Sequence, residues 1–429
     1  MKIAVWHNLP SGGGKRALYY HVEGLLARGH RLEAWCPPSA DQAFLPLGEL
    51  IPEHVVPCAP IAWEPAPGRG RLGRLLAGPR HVAHRLRAMD DHCRECAAQI
   101  EQGDFDLLFA NGCMYLRMPP IGRYVHGRKV VYLNEPMRYL YEAAPQLPWA
   151  ALDLPKRFWR SPRHLFRFVK DAIYVQALRQ QVREELTSAR AFDCILVNSL
   201  YSRESLQRAY GLDSKVCYLG VDIARFRPTG TPREPYVLGI GALHPDKRPD
   251  RAIRALGTLP VGRRPELVWI ANFANPGYRH EMEALAQACG VRFSAHINVS
   301  EAELVDWLNR ATVLVYTPRL EPFGLAPLEA NACETPVVAL AEGGVRETIV
   351  SGVNGLLVTD DDPARLGSAI RRLFDEPGLA RTLGQVGRSI VLERWQWPQA
   401  IERLAAQLEQ APNHSPEPPR PPPTKLTRA

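Results

Sequence analysis

Long apolar runs are missing from this 429-residue sequence, and none approaches the roughly 18 residues that a membrane-spanning helix needs. The opening run, Met1 to Trp6, gives way at once to His7 and Asn8, so it does not read as an export signal. Cysteine is sparse and scattered. The nine cysteines sit mostly in apolar runs, as Cys194 does between Phe192 and Val197, the pattern of reduced, buried thiols in a cytoplasmic protein. Cys93 and Cys96 form a lone C-x-x-C with no second pair at zinc-ligand distance, so no metal site is expected. Acids are absent from two stretches. Residues 69–87 hold six arginines, and 156–170 combine basic residues with Phe158, Trp159, Phe166 and Phe168. Such stretches serve as solvated faces, as contacts for an anionic membrane surface, or as nucleic-acid surfaces; no nucleic-acid motif accompanies them here.

What is present is an ordinary globular balance, 46% hydrophobic and 23% charged with a net charge of +8, in a chain long enough for two domains. Two similar α/β halves follow one another. The first opens with a strand from Lys2 to Trp6, a glycine loop from Ser11 to Gly14, and a helix with Leu18, Val22, Leu25 and Leu26 on one face. Further strands are expected over 31–35, 107–110, 129–133 and 194–197. The second half restarts near Tyr236, with strands over 236–240, 266–270, 291–294, 312–316, 335–340 and 355–358. Strands alternating with helical patterns predict parallel sheets. The Pro/Gly-rich stretch from Phe226 to Pro232 suits a hinge, and the proline-rich tail 411–429 is expected to be disordered. Two doubly wound, Rossmann-like domains open at the carboxyl ends of their strands, which puts the expected site in the cleft between them.

The sharpest motif runs from Glu321 through Pro322, Phe323, Gly324, Leu325, Ala326, Pro327 and Leu328 to Glu329. Pro322 and Gly324 keep Glu321 in a loop, while Pro327 fits a first helical turn. The amides of Gly324 to Ala326 then form an anion site at a helix N-terminus, with Glu329 about one turn in. Two carboxylates near a helix N-terminus also simply favour its dipole, so the motif alone leaves both readings open.

The following residues decide between them. Thr335-Pro336-Val337-Val338-Ala339 and Glu342 to Glu347 complete a pattern that resembles the retaining glycosyltransferases of family 4. The hallmark of that family is two glutamates separated by seven residues, and Glu321 and Glu329 have that spacing. Other matches occur in order along the chain: Ser11 to Gly14 with Leu25 to His30, Ala191 to Ser199, Gly220 to Asp222, Gly241 to Lys247, and Arg394 to Trp397. The resemblance implies an α/β GT-B fold. Residues 1–228 would form an acceptor-side domain and 229–394 a nucleotide-sugar-binding domain, with a helix over about 395–410 returning to the first.

It also implies roles. Glu329 would bind the donor ribose and Glu321 the transferred sugar. Lys247 would neutralise the diphosphate with the amides of Gly324 and Leu325, beside Phe323, and Gly13 and Gly14 would approach from across the cleft. Ala242 stands where the family usually has an arginine, a charge for which Arg248 is the local substitute. Asn134 stands where the family often has a histidine; it can bond a sugar hydroxyl but carries no protonic charge. The expected activity is retaining hexosyl transfer without metal or cofactor, from GDP-mannose or, next, a UDP-sugar, to a glycan or lipid-linked acceptor at the inner membrane face. A non-catalytic partner subunit and a nucleotide-sugar epimerase of the same fold are the alternatives.

Several tempting motifs fail. Gly14-Lys15 lacks the rest of a nucleoside-triphosphate loop, and Gly239-x-Gly241 lacks the third glycine of a dinucleotide site. Asp360 to Asp362, followed by Pro363, reads as a helix cap, and Asp104 to Asp106 as a turn.

Overall fold

Ile3, Ala4, Val5 and Trp6 are all fully buried, as in a strand covered on both faces, the usual setting of a parallel sheet. The computed structural model describes residues 1–141 and 154–412, the Arg71 side chain apart. From residue 413 onward, the proline-rich tail lies outside the described residues.

The first domain runs β1 (Lys2–Asn8), α1 (Gly13–Ala27), β2 (Arg31–Cys36), β3 (Glu53–Val55), α2 (Gly70–Ile100), β4 (Leu107–Cys113) and β5 (Arg128–Tyr132). It continues with α3 (Arg138–Tyr141), α4 (Pro162–Ala189), β6 (Cys194–Val197), α5 (Leu200–Tyr210) and β7 (Lys215–Val216). The second domain begins with β8 (Glu234–Ile240), α6 (Pro249–Gly257), β9 (Glu266–Ala271), α7 (Pro276–Cys289), β10 (Phe293–Ile297) and α8 (Glu301–Arg310). Then come β11 (Ala311–Tyr316), α9 (Leu325–Ala332), β12 (Val337–Leu340), α10 (Val345–Thr348) and β13 (Gly355–Val358). The helices α11 (Pro363–Asp375), α12 (Pro377–Arg394) and α13 (Trp397–Glu409) close the chain.

Both sheets are parallel, in the orders β3-β2-β1-β4-β5-β6-β7 and β10-β9-β8-β11-β12-β13. In each the direction of winding reverses beside the first strand, between β1 and β4 and between β8 and β11. A crevice opens at such a reversal, beyond the carboxyl ends of the strands. The loops leaving β1, β5, β8 and β11 carry the glycine loop, Asn134, Lys247 and Glu321 respectively, so the topology gathers the singled-out residues at one level.

The structure corrects several boundaries. The strand expected at 335–340 begins at Val337, because Thr335 still belongs to the exit of α9: its amide bonds to the Ala330 carbonyl at 2.8 Å and its hydroxyl to that of Leu308 at 2.6 Å. The strand expected at 291–294 forms at Phe293–Ile297. The short edge strands β3 and β7 and the 31-residue α2, which carries Pro79 in its interior, went unread. The Phe226–Pro232 stretch is not uniformly free: Phe226 is buried in the core, Pro228 is half-buried, and Asn309 bonds the Arg227 carbonyl and the Thr229 amide at 3.0 and 2.9 Å. Beyond the second domain, α13 lies against α1: Trp397 stacks on Tyr20 at 4.8 Å and Ile401 fills the space beside Gly24. Among the described residues, no helix is long and apolar enough to cross a membrane.

Candidate functional site

The Glu321 loop is shaped by residues that resist helix until Gly324. Pro318 and Pro322 have no amide hydrogen to give, Leu320 sits at φ +49°, and Gly324 caps α9 at φ +95°, a conformation glycine takes without Cβ strain. No side chain caps this helix start, so its first amides remain oriented toward the cleft as potential anion donors. Gly343 and Gly344 back the loop so closely that a Cβ on either would stand 2.3 Å from the Glu321 carbonyl oxygen or 2.1 Å from that of Pro322. This explains the second glycine pair of the motif: only bare backbone fits there.

Glu321 is paired with Lys247, Nζ to Oε2 at 2.7 Å. Burial pushes the Glu321 carboxyl up, but Lys247 and Arg138 outweigh it and hold the group below its ordinary range, so it is ionised at neutral pH. Gly241, at φ +148°, lets the Lys247 side chain pass within 3.1 Å of where a Cβ would be. The Thr317 hydroxyl donates to the Lys247 and Arg248 carbonyls at 3.1 and 3.0 Å, tying the two loops together. Arg248 itself points elsewhere: its guanidinium bonds Asp361 and lies 3.8 Å from Glu342, so it is engaged at the start of α6 rather than at the Lys247–Glu321 pair. Asp362 caps α11 as expected, donating no ligand set, while Asp361 holds Arg248.

Glu329 is 6% exposed. Burial raises its carboxyl above the usual range and Arg16 only partly opposes this. Arg16 comes from α1, across the cleft. It forms a two-pronged pair with Glu301 at 2.7 and 2.6 Å and brings Nε within 3.7 Å of Glu329. The Phe323 ring is 2% exposed and packs against Trp395 and Tyr218 at 5.6 and 6.2 Å, so that side chain belongs to the interdomain core and only its main chain faces the site.

From the first domain, Gly13 faces Leu325 (3.5 Å from a built Cβ to Cδ1) and Gly14 faces the Asn134 amide nitrogen (3.3 Å). Asn134 accepts from Asn198 at 3.2 Å. Gly13, Gly14, Asn134, Lys247, Glu321, Gly324 and Leu325 therefore meet in one place. Arg16, Arg138 and Ser199 join them there; Ser199 and Arg138 lie within the matching runs 191–199 and 134–139, but only the topology makes any of the three a neighbour of the Glu321 loop or of Glu329.

His7, Cys36 and Glu53 form a second polar group, with ligating atoms within 4.8 Å of one another, at the ends of β1, β2 and β3. His7 bonds Glu53 at 2.9 Å, and the buried Lys15 lies close enough to both to act on their charge. An ammonium beside the group disfavours a cation, and a buried His–Glu–Lys cluster accounts for it. Cys93 and Cys96 are buried free thiols.

Residues 222–390 match the family described as Glycosyl transferases group 1. The D-inositol 3-phosphate glycosyltransferase of Xylanimonas cellulosilytica is 32% identical over 247 residues, 53% of this chain and 59% of that protein. A relative of the same name from Catenulispora acidiphila is 30% identical over 272 residues, 57% of this chain and 64% of its own. The chain thus spans about three fifths of the length of these curated relatives. Among solved structures, sucrose-phosphate synthase from Thermosynechococcus elongatus superposes with a TM-score of 0.70 at 19% identity, covering 95% of this chain and 98% of that one. Anabaena HepE, solved with UDP and glucose, gives 0.65 at 20% identity, covering 96% and 100%. Residues 222–390 thus carry a glycosyl transferases group 1 domain, and the chain as a whole shares the two facing Rossmann-like sheets of the GT-B fold.

Proposed function

We propose that the protein transfers a sugar, with retention of anomeric configuration, from a nucleotide-sugar donor to an acceptor held by the first domain. The observation that carries this reading is the Lys247–Glu321 pair, set at the uncapped start of α9 and facing Gly13 and Gly14 across the cleft. Cleaving a sugar–phosphate bond builds negative charge on the leaving diphosphate. Lys247 and the amides of Gly324 and Leu325 are preorganised donors for that charge. Glu329 receives the ribose, and Glu321 the transferred sugar. The leaving phosphate takes the acceptor proton on the same face, so the scheme uses neither a protein nucleophile nor a metal. Domain closure supplies the alignment.

For the donor, the Asn134-to-Tyr139 run favours GDP-mannose by resemblance, whereas HepE was solved with UDP-glucose, which supports a UDP-sugar. A thermal-shift panel of UDP, GDP, UDP-glucose and GDP-mannose tests this: the true donor raises the melting temperature, and no shift with any of them removes the reading. Ala242 and Asn134 favour a second reading, a non-catalytic partner subunit. Slow donor hydrolysis without acceptor argues for the catalyst.

The acceptor is proposed to be a glycan or lipid-linked sugar reached from an anionic membrane surface. The two acid-free stretches, distant in sequence, come together in space. Helices α2 and α4 run parallel, with Gly78 against Tyr174 and Arg85 bonded to Gln181 at 2.8 Å, so their basic amino-terminal ends share one end of the domain. Leu72 and Trp159 are 66% and 59% exposed there, and Phe168 and Leu165 are exposed beside them. Basic side chains at the positive ends of two helix dipoles repel one another until an anionic partner arrives. Sedimentation with phosphatidylglycerol vesicles but not phosphatidylcholine vesicles is expected, and it should weaken in Arg160→Glu/Arg167→Glu. Equal sedimentation with both lipids would remove this part.

A further inference from the structure

Four consecutive main-chain carbonyls carry the Glu321 loop, and three of them are held by the other domain. Arg138 donates through Nη1 to the Arg319 carbonyl and through Nη2 to that of Leu320, both at 2.9 Å. The Ser199 hydroxyl donates to the Pro322 carbonyl at 2.5 Å. Only the Glu321 carbonyl takes its donor from its own domain, the Gly344 amide at 2.7 Å. Arg138 is braced in turn, since its Nε bonds Glu135 at 2.6 Å. Ser199 is fully buried as the cap of α5, where it also accepts from the Ser202 amide at 2.9 Å. From the opposite side, Glu347 of the second domain accepts from the Leu200 and Tyr201 amides, each at 2.9 Å, and fixes the same helix start against the loop.

These contacts matter because the loop does not hold itself. It contains two prolines and a leucine at φ +49°, a conformation that costs a non-glycine residue about 1–2 kcal/mol and persists only where surroundings enforce it. The chain crosses between the domains twice, after Phe226 and between α12 and α13, and a separation that opens the cleft withdraws Arg138 and Ser199 from the loop. The carbonyls of 319, 320 and 322 then lose their protein donors, and the backbone that aims Glu321 at Lys247 is released. A planar guanidinium suits the task because its fork presents two N–H groups to two adjacent carbonyls, which an ammonium cannot do in the same geometry.

We propose that Arg138 and Ser199 are positioning residues: they hold the Glu321 loop in its reactive geometry only while the domains are closed, so that closure completes the site. This rests on the glycosyl-transfer reading for its catalytic consequence, though not for the structural hold itself. In an open enzyme the slack loop leaves the donor unactivated, so bound donor is not spent on water before the acceptor arrives.

The test uses the full chain and the variants Arg138→Lys, Arg138→Gln and Ser199→Ala, each checked for an unchanged melting temperature. Hydrogen–deuterium exchange over residues 317–324 is expected to quicken in the Arg138 variants. UDP and GDP affinities should stay within about twofold of the parent, while kcat for hydrolysis or transfer from UDP-glucose or GDP-mannose falls by about tenfold to a hundredfold, the cost of a misplaced reacting group. In a Glu321→Gln background the further loss on changing Arg138 should vanish, because the residue acts through the one already removed. Exchange that is unchanged in the loop overturns the proposal whatever the activity. So does a kcat loss of equal size with and without Glu321. If the parent protein binds neither nucleotide and turns over neither donor while the loop exchange still quickens, the transfer reading fails and the hold stands.

Discussion

The two domains share a doubly wound parallel sheet but store their information differently. In the second domain the helices between the site strands are short, nine residues for α6 and eight for α9, and each functional loop is written as a local motif. Gly241, Gly324, Gly343 and Gly344 are needed where they stand because backbone must approach backbone or turn left-handed. In the first domain two helices of 31 and 28 residues dominate, and the residues facing the cleft come from the separate ends of β1, β5 and β6. The family match follows the same division, covering 222–390.

That contrast can be broken experimentally. The largest effect is expected in the motif-written half: Glu329→Ala should weaken nucleotide-sugar binding about tenfold to a hundredfold in calorimetric titration, the loss of charge-assisted hydrogen bonds to ribose. Parent-like affinity would take the ribose role from this residue. Next comes the union of the domains. A Cβ on Gly220 would stand 2.6 Å from the Trp397 amide nitrogen, where α13 returns to the first domain, and backbone there cannot give. Gly220→Ala should cost about 1–3 kcal/mol in urea unfolding; an unchanged midpoint would show the return of α13 to be soft.

The smallest effect sharpens the view of the first domain's core. Glu185 is buried between Tyr210 and Gln181, each at 3.0 Å, and burial pushes its carboxyl from 4.5 up to about 8. A carboxyl that binds its proton more tightly when folded stabilises fully below 4.5, and that contribution is lost as pH rises toward 8. The slope is at most about 1.4 kcal/mol per pH unit. Glu185→Gln removes the titrating group while its single amide oxygen still accepts one of the two hydrogen bonds, and it should flatten that part of the profile. Identical profiles would place the titration elsewhere.

Much of the second domain was legible in advance. Its strands lie within a few residues of where the pattern puts them; Glu321 and Gly324 stand out by the type and spacing of their neighbours, and Lys247 by family resemblance. Misplaced starts, as at Thr335, occur where a tertiary hydrogen bond from a distant helix claims the residue. In the first domain, α2 is hard to read because Pro79 and acid-free arginines obscure a helical pattern sustained by packing against α4 and, through Met89, Cys93 and Cys96, against the sheet. Phe323 shows the opposite error of scale: a residue correctly placed within the motif, whose ring turns out to serve the interdomain core.

The sequence by itself determined the alternation of strands and helices and the chemistry at the start of α9, because period, proline and glycine act within a few residues. Only the tertiary structure decided which first-domain groups reach that chemistry. Nothing local assigns Arg16, Arg138 and Ser199 their partners; two sheets facing across a cleft bring them to Glu301, to the 319–320 carbonyls and to Pro322, and proximity across a fold is a property of the whole chain's packing.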